Sequence, residues 1–126
     1  MAILQLRSKR KSTGGRYKRP KVRRLHQLGR LPVLTKVDTI RTKSERVRGA
    51  NIKSKILTAN KVNVYDASTK KHEVLDIKGT SANPANRHYV RRNIMTKGCV
   101  VDTKKGQVTI TSRPGQNNTL NGILVE

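Results

Sequence analysis

Residues 99–111 read CVVDTKKGQVTIT, and they decide the fold class. Two short runs rich in β-branched residues, Cys99-Val100-Val101-Asp102-Thr103 and Gln107-Val108-Thr109-Ile110-Thr111, flank Lys104-Lys105-Gly106. Period-two alternation on both sides of a three-residue link that ends in glycine predicts a β-hairpin, with Gly106 in the left-handed position. Towards the C-terminus, Arg113-Pro114-Gly115 predicts a turn, and the apolar Gly122-Ile123-Leu124-Val125 a last strand that closes the sheet.

Working back from the hairpin, Gly79 to Asn86 has the composition of a loop. Within it, Asn83-Pro84-Ala85-Asn86 could open one helical turn, with Asn83 as cap and Pro84 first. Ile52 to Thr58, Val62 to Asp66 and Glu73 to Lys78 are three further strand candidates, the last two joined by a turn at Ala67-Ser68-Thr69-Lys70. Val47-Arg48-Gly49-Ala50-Asn51 predicts a turn or bulge where Gly and Asn allow positive φ. Val33, Thr35, Val37 and Thr39 alternate with Leu34, Lys36, Asp38 and Ile40, which predicts a strand with one face inward. Five to seven short strands without a long amphipathic helix predict an all-β fold, a small barrel.

Residues 7–30 have a different texture: RSKRKSTGGRYKRPKVRRLHQLGR, in which 11 of 24 residues are Lys or Arg. No acid precedes Asp38. So self-repelling a segment has too little apolar surface to collapse on its own, and it predicts an extended arm over residues 1–30, with the barrel over 31–126. The 126 residues carry 29 Lys+Arg against 7 Asp+Glu, a net charge of +22. Compaction against that charge calls for a polyanion, and nucleic acid is the commonest one.

Two glycines in Thr13-Gly14-Gly15, between Arg7, Lys9, Arg10, Lys11 and Arg16, Tyr17, Lys18, Arg19, let backbone pass close to a phosphate while the cations reach its neighbours. Lys21, Arg23, Arg24 and Arg30 extend the run. A nuclear-import signal or a membrane-surface patch are the other readings of such charge, but Gly14, Gly15 and Pro20 break any amphipathic helix. Arg87-His88-Tyr89-Val90-Arg91-Arg92-Asn93, with Lys97 beyond, is a second cluster. Read as extended, it would place Arg87, Tyr89 and Arg91 on one face; Tyr89 reads as a core residue with its hydroxyl at the surface, Arg91 and Arg92 as phosphate contacts. Arg46, Arg48, Asn51 and Lys53 around Gly49 form a third.

The only aromatics are Tyr17, Tyr65 and Tyr89, which argues against reading single-stranded bases on rows of exposed rings. His26, His72 and His88 lack zinc-site spacing, and no P-loop or dinucleotide fingerprint is present, so neither metal, cofactor, small-molecule substrate nor catalysis is expected. Cys99, the single cysteine, reads as a small buried hydrophobe and points to a cytosolic protein. Met1 to Leu6 is too short for a signal-peptide core, and no run reaches membrane-spanning length.

Several stretches together resemble the archaeal and eukaryotic family of small-subunit ribosomal protein eight of the eukaryotic type. They are Arg10-Lys11-Ser12-Thr13-Gly14-Gly15, Gln27-Leu28-Gly29-Arg30, Arg46 through Lys53, Asn83-Pro84-Ala85-Asn86 running into Tyr89 through Gly98, and Thr111-Ser112-Arg113-Pro114-Gly115-Gln116. They span nearly the whole chain in the family's order and resemble its compact archaeal form; Lys21, Val22, Leu25 and Gln27 depart from the usual arm pattern. The resemblance implies a six-stranded β-barrel, an arm threaded along small-subunit ribosomal RNA, neighbouring ribosomal proteins as further partners, and no enzymatic activity. Carried over, Thr13-Gly14-Gly15 with its cations, then Arg46, Arg48 and Lys53, and Arg91, Arg92 and Lys97, would touch RNA, with Arg113 in the last shared stretch. A DNA-compacting protein is the alternative, separable by binding to duplex DNA.

Overall fold

The computed structural model describes residues 5–18 and 24–125, and the chain divides into two compact units, Met1–Pro32 and Val33–Glu126. The second unit is all-β apart from short helical turns. In chain order it runs β1 (Thr35–Val37), β2 (Arg41–Arg46), β3 (Ile52–Ala59), β4 (Lys61–Asp66), β5 (Lys71–Ala82), α1 (His88–Arg91), β6 (Ile94–Met95), β7 (Val100–Thr103), β8 (Gln107–Ile110) and β9 (Asn121–Leu124).

Strands β4-β5-β7-β8-β9 close a barrel, while β2-β3-β1-β6 form a separate four-stranded sheet. The barrel therefore has five strands, not the expected six. Closure comes from parallel pairing of β4 with β9, Val64 opposite Gly122, which occupies the β4 edge that a sixth strand would need. Strand β5 serves two neighbours in turn: Lys71 to Asp76 pair with β4, and Ile77 to Ala82 pair with β7 across register shifts at Ile77/Gly79 and Thr80/Ala82. Such shifts coil a strand and let one element turn a barrel corner. Gly79 to Ala82, expected as loop, is thus strand, its residues held by ladder bonds that composition does not show.

Inward side chains at every second position, Val62 and Val64 on β4, Val101 on β7, Val108 and Ile110 on β8, fill the barrel, and Ile56, Ala59 and Met95 from the four-stranded sheet join the same core. Burying a Val or Ile side chain is worth roughly 1.5–3 kcal/mol. Gly122 is required where β9 crosses β8: a Cβ there would lie 2.5 Å from Val108 Cγ1 and 2.9 Å from the Thr109 carbonyl oxygen.

The strand expected over Val33 to Ile40 is only Thr35–Val37, because Asp38 turns to accept a hydrogen bond from the Thr39 amide at 2.7 Å and the chain bends into β2. Thr35, fully buried, donates its hydroxyl to the Ile56 carbonyl at 2.7 Å. β2 itself carries no apolar side chain and pairs only with β3, as an edge strand kept soluble by charge. The β2–β3 turn is closed by the Val47 amide on the Asn51 carbonyl at 2.8 Å. Gly49 and Ala50 hold positive φ there, +73° and +60°, whereas Asn51 is extended. At the β7–β8 hairpin Gly106 adopts φ +143°, and its carbonyl accepts both the Thr103 amide and hydroxyl.

Candidate nucleic-acid interface

Within the first unit, residues 9–17 fold back on themselves. Arg10 bridges to Arg16, the Tyr17 amide reaches the Lys9 carbonyl at 3.3 Å, and the Lys11 amide reaches the Gly15 carbonyl at 2.7 Å. Gly14, at φ +83°, makes the tip. The Thr13-Gly14-Gly15 stretch is therefore a shaped turn inside the first unit. The Arg7 guanidinium lies 3.7 Å over the Tyr17 ring and the Lys11 ammonium 5.6 Å from it, so one ring gathers two cations. Arg10 donates to the Gly14 carbonyl at 3.0 Å. Lys9, Arg16, Lys18, Arg24 and Arg30 are exposed. The Arg24 amide donates to the Gln27 side chain at 3.3 Å, at the head of a 3-10 turn over Leu25–Gln27. Arg19, Lys21 and Arg23 lie outside the described residues.

In the second unit, Arg46, Arg48, Asn51 and Lys53 sit at the turn end of β2 and β3, all exposed. Asn51 donates to the Arg48 carbonyl at 3.4 Å and so ties the turn. Lys53 stands opposite Glu45, whose carboxylate is held by Lys55 at 2.7 Å and Lys43 at 3.7 Å. The Lys55 side chain is only 11% exposed, so this ion pair belongs to the fold.

The cluster around Arg91 is helical, which corrects the extended reading. Four residues are too few for a helical period to show. Asn86 accepts the His88 amide at 2.9 Å and opens α1. Tyr89 and Val90 are half-buried, while Arg87, His88, Arg91 and Arg92 are exposed. Asn83 does not cap this helix. Buried, it accepts the Ala85 amide and the Thr96 hydroxyl, each at 3.0 Å, and donates to the Ile94 carbonyl at 3.0 Å, clamping the loop to β6. Asn93, at φ +48°, accepts the Thr80 amide at 3.3 Å and, through its carbonyl, the Val37 amide at 3.2 Å. Lys97 projects from the β6–β7 turn, where Gly98 holds φ +83°. Arg113 precedes Pro114, whose carbonyl accepts the Ile56 amide at 3.0 Å.

These bonds place the clusters. Val37 pairs with Ala59, so Arg91 and Arg92 lie beside the C-terminal end of β3, and Arg46 through Lys53 at its other end. Ile52 to Thr58 spans roughly 20 Å at the usual strand rise. Arg113 belongs to the loop beside Ile56, between the two ends. Arg41 is exposed and opposite Thr58, in a strand, RTKSER, whose sequence shows no apolar alternation.

Among the described residues, Arg46, Arg48, Lys53, Arg87, Arg91, Arg92, Lys97 and Arg113 have no acidic partner within ion-pair distance. Three of the acids are occupied elsewhere. Glu73 pairs with Lys105, Asp76 with Lys104 at 3.2 Å, and Asp66 accepts the hydroxyls of Ser68 and Thr69 at 2.7 and 2.9 Å. Those hydroxyls, Ser68 first, hold the Asp66 carboxyl down to about 2. Cys99 is buried, and burial pushes its thiol up, away from the reactive thiolate. Among the described residues no cluster of His, Cys, Asp and Glu could hold a metal, and no helix is long and apolar enough to cross a membrane.

Cations without an acidic partner at both ends of β3, on a chain of charge +22, fit the class of structural protein that meets a polyanion by charge and shape. Residues 4–125 match the family described as ribosomal protein S8e. Relatives named small ribosomal subunit protein eS8 are 48% identical over 125 residues in Methanobrevibacter smithii (99% of this chain, 100% of the relative) and 42% over 124 residues in Methanocorpusculum labreanum (98% and 99%). A third, from Methanococcus aeolicus, is 41% identical over 126 residues, covering 99% of this chain and 98% of its own. The chain belongs to the ribosomal protein S8e family, a family of structural ribosomal proteins and not of enzymes. The family resemblance read from the sequence is borne out.

Proposed function

We propose that the chain is held in the small ribosomal subunit by two kinds of RNA contact, from an arm at residues 1–30 and from a β-domain at residues 31–126. The arm contributes Arg7, Lys9, Arg10, Lys11, Thr13, Gly14, Gly15, Arg16, Tyr17, Lys18, Arg19, Lys21, Arg23, Arg24 and Arg30. The β-domain contributes Arg46, Arg48, Asn51 and Lys53 at one end of β3, Arg87, Arg91, Arg92 and Lys97 at the other, with Arg113 between. The observation that carries this is the pair of uncompensated cation clusters at opposite ends of one strand. Spaced so, they neutralise phosphates on two RNA segments that would otherwise repel. Membership of a ribosomal family favours RNA over the DNA-compaction alternative.

The test is sedimentation of cell extract through sucrose in low and high salt, together with RNA binding by Arg91→Ala/Arg92→Ala. Co-migration with the small subunit through the high-salt wash is expected. The double variant should lose about 0.7 to 0.9 log units of salt slope per phosphate contact removed. An unchanged slope removes Arg91 and Arg92 from the interface; sedimentation with DNA restores the alternative.

A further inference from the structure

We infer that the outer face of β9, β4 and β5 docks a protein segment with apolar anchors, from a neighbouring ribosomal protein, an inference that rests on the ribosomal reading above. Because Val62, Val64 and Gly122 point into the barrel, their neighbours along each strand point out. Register then lines up Asn121, Asn63 and Val74 in one row, and Ile123, Tyr65 and His72 in the next. Together they line a groove of about 470 Å³.

Val74 is 64% exposed and Ile123 43% exposed, large values for aliphatic side chains on a folded sheet. The Tyr65 and His72 rings, 4.9 Å apart, make a stiff wall beside them. Asn63 donates to Asn121 at 3.1 Å, which leaves each amide further hydrogen-bonding capacity for the backbone of an incoming segment.

Charge selects the occupant. On β4 and β5 the outward charges flanking the groove include Lys61 and Asp76, directly opposite one another in register. Asp76 is further bound by Lys104, and Glu73 at the groove's edge by Lys105. Lys61, Lys104 and Lys105 thus stand against Asp76 and Glu73, a surplus of one on a chain of charge +22, so the face offers a phosphate backbone little surplus cation. A second copy of the chain would bring another +22 and repel. An exposed apolar patch beside groups whose charges nearly cancel suits a protein partner.

The test places photo-reactive p-benzoylphenylalanine in place of Val74, and separately in place of Arg91, in small subunits isolated from cells. The Val74 probe should cross-link to one ribosomal protein at a defined peptide. Ile123→Glu should cut that yield by roughly tenfold or more, since it buries a carboxylate in an apolar contact. Cross-linking of the Val74 probe to RNA, to a second copy, or to nothing overturns the docking surface. If the Arg91 probe marks RNA while the Val74 probe marks nothing, only the docking surface falls. If neither probed chain sediments with the subunit, both readings fall.

Discussion

Gly122 shows how little slack the barrel has at a single position. Its missing Cβ is what admits Val108 and the Thr109 carbonyl. Gly122→Ala should destabilise the protein by about 1–3 kcal/mol through overpacking, seen as a lower denaturant midpoint with an unchanged slope. Asp66 has the opposite character, an exposed carboxylate shaped by its own turn. Its carboxyl falls from 3.8 to about 2 in the folded state, so the stabilisation is complete above pH 3.8 and lost as pH falls through about 2. Asp66→Asn should flatten the pH dependence of stability across that window. Acid titration followed by circular dichroism, wild type against variant, measures it.

Elements reveal which local signals survive in a sequence and which do not. The β7–β8 hairpin was legible because valines alternate on both sides of a link ending in Gly106. β2 was not, since an edge strand of charged and hydroxyl residues borrows its ladder from β3 and displays no apolar face. Gly79 to Ala82 looked like loop for a related reason: small residues tolerate bulges, and pairing with β7 decides the outcome. The Arg46 to Lys53 and Arg91 clusters could be named from charge alone, but their arrangement at the two ends of β3 depends on the Val37 to Asn93 bond, which no local pattern encodes. Asn83 is the element-scale linchpin. Asn83→Ala strands the Ile94 carbonyl and the Thr96 hydroxyl, costing about 1–3 kcal/mol of stability. Hydrogen exchange should rise first at residues 83–97, and RNA affinity should fall with the loosened Arg91 and Arg92.

Across the whole molecule, cations run the length of the chain while the core does not. The described core residues all lie beyond residue 32, from Thr35 to Gly122. Deleting Met1–Arg30 should leave a cooperatively folding β-domain whose RNA affinity and salt dependence are both sharply reduced. Calorimetry and RNA titration of the truncated chain check the two halves of that statement, and an unfolded product would make the arm part of the core. The parallel seam between β4 and β9 has a consequence in time. Asn63 waits for Asn121, 58 residues further along the chain, so the ring stays open until β9 docks, with the β4 and β8 edges bare. A chain interrupted before Asn121 keeps those edges and invites aggregation.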